Sequence, residues 1–155
     1  MKILAIRLKN LASLAGPFEI DFTAEPLASA GLFAITGPTG AGKSTLLDAL
    51  CLALFGTVPR LSNAQTSAKA PDADGEIGTG DPRTLLRRGT GEGYAEVDFV
   101  GIDGRRYRAR WEANRAREKA GGKLQASRQS LRDLDQDQLL ASQKGEYKTQ
   151  LEAAL

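Results

Sequence analysis

Gly37-Pro38-Thr39-Gly40-Ala41-Gly42-Lys43-Ser44 is the stretch on which the reading of this 155-residue chain turns. It satisfies the pattern G-x-x-x-x-G-K-[ST], in which a glycine-rich turn runs into a helix. A polyphosphate is a dense anion, and such a turn can wrap it with inward-facing backbone N–H groups. Glycines at 37, 40 and 42 allow positive φ and close approach. A helix starting near Lys43 adds unpaired N–H groups and the positive end of its dipole. In this chemistry Lys43 reaches the β- and γ-phosphates, the Ser44 hydroxyl ligates Mg²⁺, and Thr45 supports the α-phosphate. The expected ligand set is Gly37, Pro38, Thr39, Gly40, Ala41, Gly42, Lys43, Ser44 and Thr45, with ATP and Mg²⁺ as cofactors.

Outward from this stretch, Leu32–Thr36 is a nearly continuous apolar run between two glycines, which predicts a central strand buried on both faces. Ser44–Phe55 has almost no polar face, which predicts a helix buried all round, ended by Gly56. Lys2–Asn10 alternates as a strand with Leu4, Ile6 and Leu8 on one face, and Phe18–Phe22 alternates as a second. Residues 62–80 are poor in large apolar side chains and predict a mobile surface loop. Tyr94–Val100 and Arg105–Trp111 predict strands joined by the turn Gly101-Ile102-Asp103-Gly104, with a further strand at Leu124–Leu131. Between them Asn114–Lys123 reads as a charged loop. Gln138–Leu155 reads as one helix, with Leu140, Tyr147, Leu151 and Leu155 at intervals of seven and four. No cap follows it, so the expectation is one domain over 1–155 that is cut short.

Composition narrows the chemistry. There is no histidine and one cysteine, which excludes Ser-His-Asp and Cys-His catalysis, histidine-held zinc and a disulfide framework. Cys51 lies among leucines and reads as core, and Trp111 reads as packing. Asp133, Asp135 and Asp137 lack the glycine and glutamate that a calcium loop requires. No apolar run approaches the ~20 residues of a membrane span, and the N-terminus is no signal peptide, so a cytoplasmic protein without membrane partner is expected.

The net charge of +2 is unevenly spread: from Gly80 to Arg132 there are 13 lysines and arginines against 7 acids. Within that block Arg106, Arg108 and Arg110 share one strand face, a row that suits a phosphate backbone. The competing reading is a charged outer face paired with neighbouring acids.

The run Gly31–Phe55 closely resembles the SbcC family, the ATPase subunits of bacterial SbcCD nuclease complexes. So do Met1–Leu11, Pro59-Arg60-Leu61-Ser62-Asn63, Ala95-Glu96-Val97-Asp98-Phe99 and Tyr107-Arg108-Ala109. The resemblance implies an α/β fold, the N-terminal half of an ABC-type P-loop ATPase head. That fold has a mixed β-sheet, the phosphate-loop helix packed on it and an antiparallel hairpin region. It implies a missing coiled coil and C-terminal half of the head, a second head in an ATP-dependent dimer, an SbcD-like nuclease subunit and double-stranded DNA. It also places Lys9, Asn10 and Ser13 in a loop bordering the nucleotide. Ala12 departs from relatives that carry arginine there. The expected function is the ATP-binding lobe of the ATPase in a DNA-end exonuclease and repair complex. No catalytic residue is expected in this segment: no signature motif, no apolar run ending in Asp-Glu and no glutamine loop occur, so the chain alone should bind ATP and barely hydrolyse it. The alternatives are a free-standing P-loop NTPase or nucleotide kinase, and a DNA-binding fragment with a vestigial nucleotide site.

Overall fold

The computed structural model describes residues 1–62, 68–73 and 75–155. The strands are β1 (Lys2–Lys9), β2 (Phe18–Asp21), β3 (Lys69–Asp72), β4 (Gly75–Gly78), β5 (Glu92–Val100), β6 (Arg106–Asn114), β7 (Arg128–Asp133) and β8 (Gln138–Ala141). The helices are α1 (Lys43–Phe55), α2 (Pro59–Ser62) and α3 (Lys144–Ala154). Six strands form one sheet in the order β2-β1-β5-β6-β7-β8, and every pair in it is antiparallel. β3 and β4 form a separate hairpin. Among the described residues no helix is long and apolar enough to cross a membrane.

The period-two pattern of β5 and β6 decides which sheet face is buried. Ala95, Val97 and Phe99 face the same side as Tyr107, Ala109, Trp111 and Ala113, and all seven are buried. α1 lies on this face, with Ala49, Leu52 and Ala53 in the same core. Ala49 and Ala53 are four apart and so share one helix stripe. With Ala95, Ala109 and Ala113 opposite, that stripe lets the helix approach the sheet closely. Trp111 and Phe99 fill the space that remains. α3 closes the other end, its Tyr147 hydroxyl donating to the Ala53 carbonyl.

The opposite face is a lattice of ion pairs. Arg7 lies between Glu19, Glu96 and Asp98, at 2.8, 3.3 and 2.8 Å. Arg108 donates through two nitrogens to Asp98, at 2.7 and 2.8 Å. Arg110 bonds Glu96 and Glu112 at 3.1 and 3.2 Å and stacks over Tyr94. Arg106 pairs with Asp135 at 2.7 Å. On the core side, opposite Tyr107, Asp133 is fully buried and accepts from the Asp135 and Gln136 amides and from Arg105, which fixes the β7–β8 turn.

Several expectations fail for physical reasons. Leu32–Thr36 is no strand: among the described residues it finds no neighbour to hydrogen-bond, and Leu32, Phe33 and Ile35 stay 92%, 47% and 45% exposed. The sheet is consequently antiparallel throughout rather than mixed. α1 starts at Lys43 and is not buried all round, since the sheet covers one side only and Leu47 and Phe55 are 62% and 60% exposed. A bulge between Ile3 and Ala5 puts Ile3 opposite Phe99, so Ile3 and not Leu4 joins the core. The expected loop at 62–80 contains the β3–β4 hairpin; its residues 63–67 and 74 lie outside the described residues. The strand expected at Leu124–Leu131 falls at Arg128–Asp133. The single helix expected over 138–155 is strand β8 followed by α3, because a tight turn with Asp137 at φ 49° brings residues 138–141 back onto β7.

Burial alone would push the Asp98 carboxyl up, but the guanidiniums of Arg108 and Arg7 outweigh it and hold it below the usual carboxylate range. A carboxyl depressed in the folded state stabilises the fold above its unfolded pKa of about 3.9, and loses that contribution as pH falls through the folded value. The urea midpoint should therefore drop as pH is lowered from about 5 to about 3. Asp98→Asn should be less stable at neutral pH and lose less on acidification; an equal acid slope in parent and variant would count against the lattice.

Candidate phosphate-binding site

The phosphate loop joins the exposed segment 32–36 to α1. Gly37, Gly40 and Gly42 have φ of 153°, 83° and 92°, a region that side chains with a Cβ rarely enter. The Ala41 amide donates to the Pro38 carbonyl at 3.2 Å, which closes the turn. Gly42 is the N-cap of α1, with no side-chain cap and no acid in the first turn. The positive helix end therefore meets no carboxylate of its own. Lys43 Nζ donates to the Gly37 and Pro38 carbonyls at 2.7 and 2.8 Å, so the ammonium lies against the loop.

An open depression of about 250 Å³ sits at this helix end, lined by Ser13, Thr39, Gly40, Gly42, Lys43, Ser44 and Thr45. Among the described residues no carboxylate lines it. Gly37, Pro38 and Ala41 shape the loop behind it. Backbone amides, an ammonium and four hydroxyl side chains around one hollow can hold an anion with several oxygens. A hard cation would fit only as a shared ligand: Ser44 offers one oxygen, and Mg²⁺ held this way would need its remaining ligands from phosphate and water. Among the described residues no group of His, Cys, Asp or Glu could hold a metal ion alone.

Of the three residues expected beside the loop, only Ser13 reaches the depression. Lys9 is paired with Glu92, and Asn10 donates its side-chain amide to the Glu92 carbonyl at 2.9 Å. They brace the turn from Asn10 to Leu14 instead. Asn10 and Ala12 in that turn have left-handed φ of 52° and 47°. Ala12 faces a different hollow, shared with Thr84, Leu86, Arg87 and Arg88.

A residue that sequence reading counted only as part of a basic block proves central to this turn. Arg87 Nη1 donates to the Ser13 carbonyl at 2.6 Å and to the Ala12 carbonyl at 3.4 Å, while the Arg87 amide donates to the Asn10 carbonyl at 2.9 Å. The Ala12 amide in turn donates to the Leu85 carbonyl at 2.8 Å. The sequence signal was the change from buried Leu85-Leu86 to Arg87-Arg88, which marks a core-anchored edge with charge beyond it. Asp48, buried on α1, was also passed over; it pairs with Arg60 of α2, yet burial raises its carboxyl despite that partner.

Arg106, Arg108 and Arg110 do share a strand face, but each is engaged by at least one carboxylate. The row is a compensated ion lattice, not a free cationic strip.

A family profile described as AAA domain matches residues 5–154. The chain is 69% identical over 156 residues to the SbcC component of the SbcCD nuclease of Pseudomonas aeruginosa, an alignment that covers all of this chain and 13% of that protein. It is 59% identical over 144 residues to the same component from Rhodobacter capsulatus, covering 92% of this chain and 12% of that protein. For the Bacillus subtilis protein the figure is 51% over 63 residues, 41% of this chain and 5% of that protein. The chain thus spans about an eighth of the length of the Pseudomonas and Rhodobacter relatives. A match over nearly every residue, on a chain with a glycine loop leading into a helix, establishes that the chain belongs to the AAA domain family, and its sequence stands with the SbcC components of SbcCD nucleases.

Proposed function

We propose that this chain is the ATP-binding lobe of an ATPase subunit that works with a nuclease partner on DNA double-strand ends. The observation that carries the reading is the loop 37–44: three glycines in conformations open to backbone approach, an uncapped helix end, and Lys43 beside both. In a bound complex Lys43 would exchange its two carbonyl acceptors for β- and γ-phosphate oxygens, a charge-assisted and therefore stronger contact. Ser44 would share Mg²⁺ with those phosphates, Thr45 would hold the α-phosphate, and Ser13 would close the side of the hollow. Lys9 and Asn10 act one step removed, by fixing the turn that carries Ser13.

The names of the similar proteins support the wider reading of an ATPase subunit assembled with an SbcD-like nuclease. The apolar side chains left open at Leu32, Phe33, Ile35 and Leu47 support a further lobe of the same head packing there. In this reading the fold is the N-terminal half of an ABC-type head, which pairs with a second head around ATP. Hydrolysis needs a water held in line and the γ-phosphate charge stabilised. With no carboxylate on the hollow, both would have to come from outside this lobe.

Calorimetry with ATP and Mg²⁺ should show binding that Lys43→Ala reduces by at least tenfold; equal affinities would remove Lys43 from the site. In the same preparations phosphate release should stay far below about 1 s⁻¹. Faster turnover that disappears in Lys43→Ala would show that the lobe carries its own catalytic group. Arg87→Ala should weaken ATP binding several-fold by loosening Ser13. Arg87→Lys, which keeps the charge but not the reach and planar geometry of the guanidinium, should restore only part of it. Full restoration by lysine would mean that charge alone matters at position 87.

A further inference from the structure

Gly42 ends the phosphate loop and caps α1, and its conformation decides where the first amides of the helix point. Glycine enters φ 92° readily, but it enters many other conformations as readily, so a contact must select this one. Two sets of bonds within the loop contribute. The Thr45 amide donates to the Gly42 carbonyl at 3.0 Å, and the Lys43 ammonium donates to the Gly37 and Pro38 carbonyls. The second set is given up when Lys43 turns to phosphate.

Further support comes from outside the loop. The three atoms nearest to the place of a Cβ on Gly42 all belong to Leu14: Cδ2, Cγ and Cδ1, at 2.6, 2.8 and 3.1 Å. No Cβ fits beside them, so position 42 needs glycine for space as well as for φ. Leu14 is itself fixed. Its amide donates to the Leu11 carbonyl at 2.9 Å, and its carbonyl accepts from the Leu11 amide at 3.0 Å. Leu11 is buried in the core and bridged to Leu86. Ser13, the preceding residue, lines the hollow of about 250 Å³ at the helix end. Leu14 instead lines a second hollow, of about 280 Å³, with Phe18, Ile35, Gly42 and Leu46. Its isobutyl group is thus the wall between the two.

We propose that Leu14 is a positioning residue for polyphosphate binding: its side chain, anchored to the sheet through Leu11, holds Gly42 in the one conformation that turns the amides of α1 toward the phosphates. The inference rests on the reading of residues 37–44 as the nucleotide site. Leu14 touches no phosphate. It acts by keeping the cradle in its bound shape before the ligand arrives, which lowers the cost of ordering on binding. The contact is apolar, so it survives when Lys43 leaves its carbonyls and the loop loses those two bonds. Shortening Leu14 leaves a gap beside a glycine, the residue least able to keep its conformation unaided. The same contact sets the spacing between Ser13 and the first turn of α1, because Ser13 and Leu14 are adjacent in one closed turn.

The test titrates the whole chain and its variants with ATP and with inorganic tripolyphosphate, both with Mg²⁺, by calorimetry, and records melting temperatures alongside. Leu14→Ala should weaken both ligands at least about fivefold and to the same degree, since the fault lies in the phosphate cradle. Leu14→Met, close to leucine in length and volume, should return most of the affinity. Leu14→Val, shorter but still apolar, should fall between them and serves should the alanine variant not fold. Ile3→Ala supplies the control: it removes a partly buried apolar side chain at the far end of β1. It should lower the melting temperature and leave both affinities at parental values. Parental affinity in Leu14→Ala and Leu14→Val overturns the proposal. So does equal weakening by Ile3→Ala, which would reduce the effect to general stability, or weakening confined to ATP, which would move it away from the phosphates. A parent that binds neither ligand would overturn the nucleotide reading and this proposal with it, whereas the other outcomes leave that reading standing.

Discussion

The close packing of α1 on β5 and β6 is the constraint from which the rest of the structure follows. Alanines on both surfaces, Ala49 and Ala53 against Ala95, Ala109 and Ala113, remove the bulk that would hold a helix off a sheet. Close-packed interiors transmit small changes in volume, so a larger residue at any of these positions would displace the helix axis. That axis matters because its N-terminal end is the hollow at Gly42–Thr45. At the other end Gly56 stops the helix with φ 68° and a hydrogen bond donated by its amide to the Leu52 carbonyl. A side chain there would also meet Gln129 at 2.6 Å. The helix is thus fixed along its length and at both limits, and the direction of its dipole is set by the sheet beneath it.

Electrostatics divides the molecule in a way that composition conceals. The basic block from Gly80 to Arg132 carries most of the arginines, yet antiparallel pairing sets Asp98 opposite Arg108 and Glu96 opposite Arg110. Cross-strand pairs of opposite charge stabilise a sheet modestly, and a network of them more than isolated pairs. Arginine suits the task, since its planar fork can meet two carboxylates at once. The acids are nearly covered by these arginines, with Glu96 and Asp98 only 8% and 6% exposed. At the Ser13 end Lys9, Arg83 and Arg115 are paired in the same way, with Glu92, Asp81 and Asp72.

How much of this was legible in the sequence depended on whether a signal was local. The glycine loop, the start of a helix near Lys43, its stop at Gly56 and the β5–β6 hairpin all rest on neighbouring residues, and each lies within three residues of its expected place. Compensation of Arg106, Arg108 and Arg110 by neighbouring acids was open in the sequence only as the competing reading, because Asp135, Asp98 and Glu96 come beside them through strand register. Position 87 was missed for the same reason: its acceptors, Ser13 and Ala12, lie more than 70 residues away. The helix expected at 138–155 failed because Leu140 keeps helical spacing with Tyr147 while belonging to a strand. A spacing of seven does not distinguish one helix from a strand and a helix that meet the same core.

The one strong local signal that the fold does not honour is Leu32–Thr36, and its failure is informative about strands in general. A buried strand is stable only when its backbone N–H and C=O groups find partners, and an apolar sequence cannot supply them. Here β2 is the edge strand beyond β1, and the chain passes from it to the phosphate loop without adding a further strand. Phe33 finds one ring contact, with Phe22 at 5.3 Å between centroids, while Leu32 and Ile35 remain open. Segment 32–36 is also what carries Gly37 into the loop, so its position controls the first glycine of the phosphate cradle. A second lobe that paired with this segment would bury its apolar face and fix Gly37 in the same event. Ordering of the cradle and completion of the head would then be one equilibrium, and nucleotide affinity would depend on the second lobe even if that lobe touched no phosphate.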